Sequence, residues 1–327
     1  MSEQRNDSPG HIPVMKDAML SLVAPRDGGI YVDGTFGGGG YSQALLEAAP
    51  CVVYGIDRDA TALQAGGALA ARFDGRLILL HGRFAEMASL LAPHGVNAVD
   101  GIVLDFGLSS RQLDDGARGF SFRLDGPLDM RMDRDDPGPT AADLVNDGTE
   151  AELATIIASF GEERRARAIA RAIVAARAEA PITRTGQLAE IVRRAVSRRP
   201  HGGIDPATRT FQALRIRVND EIAEIERGLE QIERLLRPGG RAIVVSFHSL
   251  EDRPVKRFFR ERSGHRQPNR HEPDAATKLP DPTFTLLTRR ARKPDRAEVS
   301  VNPRARSARL RAAERTGAPA WHERLVA

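Results

Sequence analysis

The feature that most constrains this chain is a short apolar run closed by an aspartate, which recurs with helical sequence between its copies. IYVD ends at Asp33, CVVYGID at Asp57 and VDGIVLD at Asp105, and a further apolar run, RLILL, occupies 76–80. The stretches between them, 41–49, 59–72 and 84–92, are rich in Ala and Leu and read as helices. Strands apolar on both faces belong in a sheet covered on both sides, and strands that alternate with helices pair in parallel. The pattern predicts an α/β fold around a buried, mostly parallel sheet.

The second half adds to the same sheet. Ile222, Ile225, Leu229, Ile232, Leu235 and Leu236 fall on one face at helical spacing, and Arg237-Pro238-Gly239-Gly240 is expected to stop that helix. RAIVVSFHS then reads as a fifth strand, 250–262 as a helix, Thr283 to Thr288 as a strand and Ala308 to Glu314 as a last one. Between Gln112 and Arg215 no convincing strand occurs. A Gly- and Asp-rich loop comes first, then helices, one of which gathers Leu188, Ile191, Val192, Ala195 and Val196 on a single face. The expected organisation is a discontinuous core, 1–111 with 216–327, and an inserted helical substrate-recognition domain at 112–215. No internal repeat is visible.

The loop after the first strand, Gly34-Thr35-Phe36-Gly37-Gly38-Gly39-Gly40, suits a nucleotide-like ligand, because glycines admit close backbone approach and the next helix offers its first amides. Its spacing disfavours the usual occupants. A dinucleotide fingerprint needs Gly at i, i+2 and i+5, yet Phe36 or Ser42 interrupts each register. A P-loop needs Gly-Lys-Ser/Thr, and here Tyr41 follows Gly40. Asp57, ending the second strand, is placed to accept both ribose hydroxyls of S-adenosylmethionine. Asp33, Asp57 and Asp105 would then line the carboxyl edge where open α/β sheets bind ligands. Asp105-Phe106-Gly107 also spells the kinase metal-binding triplet, but no HRD loop or V-A-I-K lysine accompanies it.

Cysteine usage narrows the chemistry. The chain has one, Cys51, so multi-cysteine clusters are excluded, and its place at the start of a strand opposite the aspartates denies it a nucleophilic role. What remains is direct attack by an oxygen or an exocyclic amine on the sulfonium methyl. That chemistry needs alignment and a hydrogen-bond acceptor, for which Asp105 is the candidate catalytic residue; no metal is called for.

Charge points to the partner. Residues 1–163 carry 12 Lys and Arg against 25 Asp and Glu, whereas 164–327 carry 36 against 19, nearly all of the basic residues being arginine. Such asymmetry suggests a polyanion, and arginine forks suit phosphate. No run of 18 apolar residues exists and the first ten residues, MSEQRNDSPG, lack the build of a secretion signal. A cytoplasmic protein without membrane contact is expected.

Several long passages resemble one family, the small-subunit ribosomal-RNA methyltransferases called RsmH or MraW. They are HIPVM from His11, YVDGTFGGGGYS from Tyr31, GIDRD from Gly55, DFGLSSRQLDD from Asp105, RGFSFRLDGPLDMRM from Arg118, PATRTFQALRIRVNDE from Pro206, SFHSLEDRPVK from Ser246 and NPRARSARLRAAER from Asn302. The resemblance runs nearly end to end. It implies a class I S-adenosylmethionine-dependent methyltransferase, Rossmann-like with a seven-stranded sheet, acting on the N4 amine of a decoding-centre cytidine, cytidine 1402 of bacterial 16S rRNA, within the small ribosomal subunit. Cofactor contacts implied by it fall on Gly39, Gly40, Tyr41, Asp57, Phe84, Asp105 and Gln112, with Phe84 near the adenine.

Three positions depart from the family pattern: Tyr41 where His is usual, Arg111 where Pro is usual, and Asp205 where His precedes Pro-Ala-Thr-Arg. The aromatic platform for the target base has Phe106, Phe120 and Phe122 as candidates, and His248 and His11 are each open to a structural or an RNA-facing role. Methylation of another RNA or DNA base, or a non-catalytic part in ribosome assembly, remain the alternatives. Oligomeric state, monomer or homodimer, is not encoded in these motifs.

Overall fold

The computed structural model describes residues 13–196, 205–265 and 280–321. They form two compact units, one holding the described residues up to Gly107 and from Glu224 onward, the other running from Leu108 to Ala223. The helix Ala207–Asn219 lies wholly in the second unit.

The first unit is built on one sheet of seven strands: β1 (Ile30–Asp33), β2 (Val52–Asp57), β3 (Leu77–His81), β4 (Val99–Asp105), β5 (Leu236–Ser246), β6 (Phe284–Leu286) and β7 (Arg309–Arg315). Their order is β3-β2-β1-β4-β5-β7-β6. Strands β1 to β5 pair in parallel and β7 runs against both its neighbours, giving the seven-stranded class I methyltransferase arrangement. The chain leaves β1 for β2 on one side and later returns to β4 on the other. That reversal is the switch point at which open α/β sheets take their ligands.

Side chains alternate between the two faces of the sheet, with period two. Tyr31, Val53, Val103, Ile243, Val245 and Leu310 enter one core cluster with Met19 of the helix Lys16–Val23 and Leu45 of the helix Gly40–Ala48. Val32, Ile56, Ile102, Leu104 and Val244 are buried on the opposite parity. Cys51 is buried in the first cluster, its Sγ 3.5 Å from the carbonyl of Leu45, as a small core residue.

Two local expectations are corrected. The helix Glu221–Leu235 stops where expected, but β5 begins at Leu236 rather than at Arg241, so Arg237-Pro238-Gly239-Gly240 lies inside the strand. These residues are the excess length of a bulge, since Val99 pairs with Leu236 and Gly101 with Arg241, and Gly239 there takes φ +80°. The stretch 84–92 is also broken up: Phe84–Glu86 is a 3₁₀ turn, Met87–Leu91 a short helix and Ala92–His94 a second 3₁₀ turn containing Pro93.

The second unit has no strand among its described residues, only an isolated bridge between Pro127 and Arg184. Its helices Ala141–Asp147, Glu150–Gly161, Ala166–Glu179, Thr185–Val196 and Ala207–Asn219 enclose a core that includes Leu153, Ile157, Ile169, Ile173, Leu188, Val192 and Leu214. Thr140 and Thr149 begin two of them with reciprocal capping bonds. Asp205 accepts the Ala207 amide at 2.8 Å and pairs with Arg193 at 2.8 Å, so the carboxylate standing in place of a histidine serves the start of the helix Ala207–Asn219. Arg111 lies in the short helix Ser110–Asp114.

Candidate active site

The register of the sheet puts the three aspartates on one face. Asp33 is level with Gly55 of β2 and Val103 of β4. Asp57 and Asp105 lie two residues beyond those partners, so both keep the parity of Asp33 and stand one pleat further toward the carboxyl edge, on either side of it. The sequence leads to the expectation that all three line one carboxyl edge; the pairing sets Asp33 one pleat below the other two.

Their depths differ, and with them their chemistry. Asp33 is 1% exposed. Its Oδ2 accepts both the amide and the hydroxyl of Ser42, at 3.1 and 2.8 Å, and Oδ1 accepts the Thr35 amide at 3.4 Å. Those bonds tie the end of β1 to the first turn of the helix Gly40–Ala48 and fix the loop between them. Burial pushes its carboxyl up to about 6, against the pull of the Ser42 and Thr35 donors, with the nearby Asp57 charge adding to the rise. Asp33 is thus enclosed beneath the edge rather than facing a ligand.

Asp57 is half-buried. Its Oδ2 accepts the Gly37 amide at 2.7 Å and its Oδ1 the Asp59 amide at 2.8 Å. A carboxylate has about four lone-pair sites, so one on each oxygen remains for a ligand diol. Burial raises its pKa, and the two backbone donors oppose the rise.

Asp105 is half-buried too, and its backbone N–H donates to Thr35 Oγ1 at 2.7 Å. Its Oδ1 is inaccessible and has no hydrogen-bond partner among the described residues. Burial pushes its carboxyl well above the usual range, and the Asp33 and Glu251 charges push in the same direction. An orphaned buried carboxyl oxygen is costly to keep, so Oδ1 is a polar atom whose partner the described residues do not supply.

The loop itself is shaped by Phe36, 2% exposed. A Cβ on Gly39, Gly55 or Gly66 would come within 2.8 Å of its ring, so three glycines make room for one aromatic anchor. Gly39 also takes φ +76° as it opens the helix Gly40–Ala48. Gly40 is backed by Pro13, whereas a Cβ on Gly38 would meet nothing within 4 Å, so open space adjoins the loop there. The first-turn amides of Gly40 and Tyr41 have no carbonyl a turn earlier to bond. The Tyr41 side chain points into the core, 4% exposed, with its hydroxyl donating to the Val14 carbonyl. Only its backbone can therefore serve a ligand at this edge.

Phe84 packs against Phe106 with ring centroids 5.6 Å apart. It lies over Gly228, where a Cβ would come within 2.5 Å of its ring, and beside Gly34. The ends of β2 and β3 are drawn to the same helix by Glu224, 2% exposed, which pairs with Arg58 at 3.0 Å and Arg83 at 3.1 Å. Sequence reasoning missed this triad, along with Thr35 and Ser42. The latter two lie within the quoted glycine-loop passage; Glu224 had no signal, because its partners are more than 140 residues away.

Gln112 belongs to the second unit, 6% exposed, with Oε1 accepting the Ser109 amide at 3.0 Å in a capping box. Of the candidate base platforms, Phe106 and Phe120 are buried, and Phe122 packs edge-on to Phe211 at 5.0 Å, so each is a packing residue of its own unit. His248 caps the helix Ser249–Arg262 and stands 2.8 Å from buried Glu251, a structural placement. His11 lies outside the described residues. Among the described residues no helix is long and apolar enough to cross a membrane.

A sequence model of the MraW methylase family matches residues 8–316. The protein named ribosomal RNA small subunit methyltransferase H from Rhodospirillum centenum is 61% identical over 315 residues, covering 96% of this chain and 95% of that protein. The protein of the same name from Paramagnetospirillum magneticum is 57% identical over 312 residues, covering 95% and 97%. That from Acidiphilium cryptum is 57% identical over 310 residues, covering 94% and 98%.

Proposed function

Because the chain belongs to the MraW methylase family, we propose that it transfers a methyl group from S-adenosylmethionine to the N4 amine of cytidine 1402 in bacterial 16S rRNA, acting in the cytoplasm on the small ribosomal subunit. The observation that carries this reading is the carboxylate edge at the switch point, with the orphaned Asp105 Oδ1 at its outer level. The names of the relatives supply the ribosomal RNA.

The residues present fit the cofactor. Asp57 keeps one lone-pair site on each oxygen, which matches a ribose diol. The Gly38 side of the loop is open, and the Gly40 and Tyr41 amides are available to a carboxylate at a helix N-terminus. The Phe84 ring, held by Gly228 and Phe106, offers an apolar surface to adenine. When bound, the cofactor supplies an electrophilic methyl on a sulfonium.

Everything else falls to the chain. A cytosine amine is a poor nucleophile because its lone pair is delocalised into the ring. Asp105, by accepting one N–H, holds the lone pair toward the methyl and takes the proton as the new bond forms. It acts in this step as the carboxylate; burial and the Asp33 and Glu251 charges favour the acid form, so its proton must leave before the amine is engaged.

The test is transfer of labelled methyl to small ribosomal subunits by wild type and Asp105→Ala, with nuclease digestion and mass mapping. Label on the N4-methylated decoding-centre cytidine, lost in the variant, is expected. Label on a different nucleotide, or undiminished transfer by Asp105→Ala, overturns the assignment.

A further inference from the structure

The sheet dictates where the connection between its last two strands must lie. β6 runs parallel to β5 and β7 antiparallel to it; β7 starts at the carboxyl edge, where Arg309 stands level with Ser246, whereas the short β6 ends lower, Leu286 being level with Ala313 and through it with Ala242. The connection, 287–308, therefore climbs beside β7 to the edge that carries Asp105: the Thr288 amide bonds to the carbonyl of Ala312, and Arg292 bridges Leu310, which is level with Val245 and so with Asp105. It is a strap of irregular chain, the helix Arg296–Val301 and the 3₁₀ turn Pro303–Ser307, pinned back by a mutual backbone bridge between Arg292 and Leu310.

Its charge is one-sided. Arg289, Arg290, Arg292, Lys293, Arg296 and Arg306 are all exposed, and none makes a side-chain hydrogen bond or ion pair among the described residues. The two acids in the strap are engaged: Asp295 caps the Glu298 amide at 2.7 Å, and Glu298 accepts the Met15 amide at 2.5 Å. By contrast, the arginines of neighbouring β7 are taken up in the fold, Arg309 and Arg311 by Asp252 and Arg315 by the carbonyls of Glu233 and Thr283. Exposed cations with no side-chain partner among the described residues, on a segment that rises to the reactive edge, are what a phosphate backbone requires.

We propose that the strap 287–308 is a phosphate-binding track that holds the RNA strand flanking the methylated nucleotide, independently of the inserted helical unit. This inference rests on the RNA reading above and adds a binding surface to it. Forks of Arg289, Arg290 and Arg292 pair with phosphate oxygens on the β6 side, and Lys293, Arg296 and Arg306 continue the track.

Two triple variants test it, Arg289→Gln/Arg290→Gln/Arg292→Gln and Lys293→Gln/Arg296→Gln/Arg306→Gln. A labelled single-stranded oligoribonucleotide serves as probe across a salt titration, with S-adenosylmethionine affinity measured alongside. Each lost phosphate contact lowers the salt slope by about 0.7, so a triple variant should lose about 2 from the slope. Extrapolated from 1 M, that is about a 100-fold weakening at 0.1 M salt. Cofactor affinity should be unchanged. A slope equal to wild type in both variants, with cofactor binding intact, overturns the track while leaving the RNA reading standing. Failure of wild type itself to bind RNA overturns both.

Discussion

Replacing Asp57 with alanine separates cofactor recognition from stability more cleanly than any other change at this edge. Both its oxygens already hold backbone amides, Gly37 at 2.7 Å and Asp59 at 2.8 Å, which leaves one acceptor site apiece for the ribose hydroxyls. Hydrogen bonds to a charged group are worth about 1.5–3 kcal/mol each, so two of them supply roughly 3–6 kcal/mol of binding. At about 1.4 kcal/mol per decade, Asp57→Ala should weaken S-adenosylmethionine about 10²- to 10⁴-fold. Stability moves less, because two losses and one gain compete. The Gly37 and Asp59 amides lose an acceptor, while the carboxylate whose pKa burial had raised is gone. Asp57→Asn keeps one acceptor but turns its NH₂ toward an amide donor, and about 100-fold weakening is expected there as well. Titration calorimetry with S-adenosylmethionine, beside denaturant unfolding, reads both quantities. A loss of affinity under tenfold in Asp57→Ala, with the fold intact, would refute the ribose assignment.

Three further outcomes follow from the same geometry. The Asp33 carboxyl is raised in the fold to about 6 from near 4, so it contributes stability that is complete below pH 4 and lost as pH rises through 6, about 3 kcal/mol in all; Asp33→Asn should flatten that dependence in denaturant titrations between pH 4 and 7, and an unchanged profile counts against it. Since burial raises the carboxyls of Asp33 and Asp105, binding the cationic cofactor should release more protons than binding the neutral demethylated product, a difference read by calorimetry in buffers of unlike ionisation heat and reduced in Asp105→Asn. Gly228→Ala drives a Cβ to within 2.5 Å of the Phe84 ring, so a cost of about 1–3 kcal/mol from overpacking and weakened cofactor binding are expected together; wild-type affinity in a stable variant would show that the Phe84 position does not matter.

Much of this was legible before any coordinates. The apolar runs ending in Asp33, Asp57 and Asp105 lie where β1, β2 and β4 end, because a run of branched apolar residues has few other stable fates than a buried strand. Less legible were the places where a local rule met a tertiary demand. Arg237-Pro238-Gly239-Gly240 does end the helix, at Leu235, but pairing with β4 also absorbed it into β5 as a bulge, which no local rule foretold. Phe106 and Phe120 were plausible platforms for a base until packing enclosed them. Gln112 and His248 proved to be caps of their own helices, a role their neighbours at the third position make possible but do not announce.

The sequence by itself determined the sheet, its aspartates, the family, and the basic excess of the second half, all of which are properties of short windows or of sums along the chain. Only the tertiary structure decided that Asp33 lies enclosed while Asp57 and Asp105 stand one pleat higher, that Glu224 gathers Arg58 and Arg83, and that the strap from β6 to β7 climbs to the level of Asp105. The physical reason is register. Which residues become neighbours, and how deep each lies, depends on hydrogen-bonded pairing between strands distant in the chain, and no local pattern specifies that pairing.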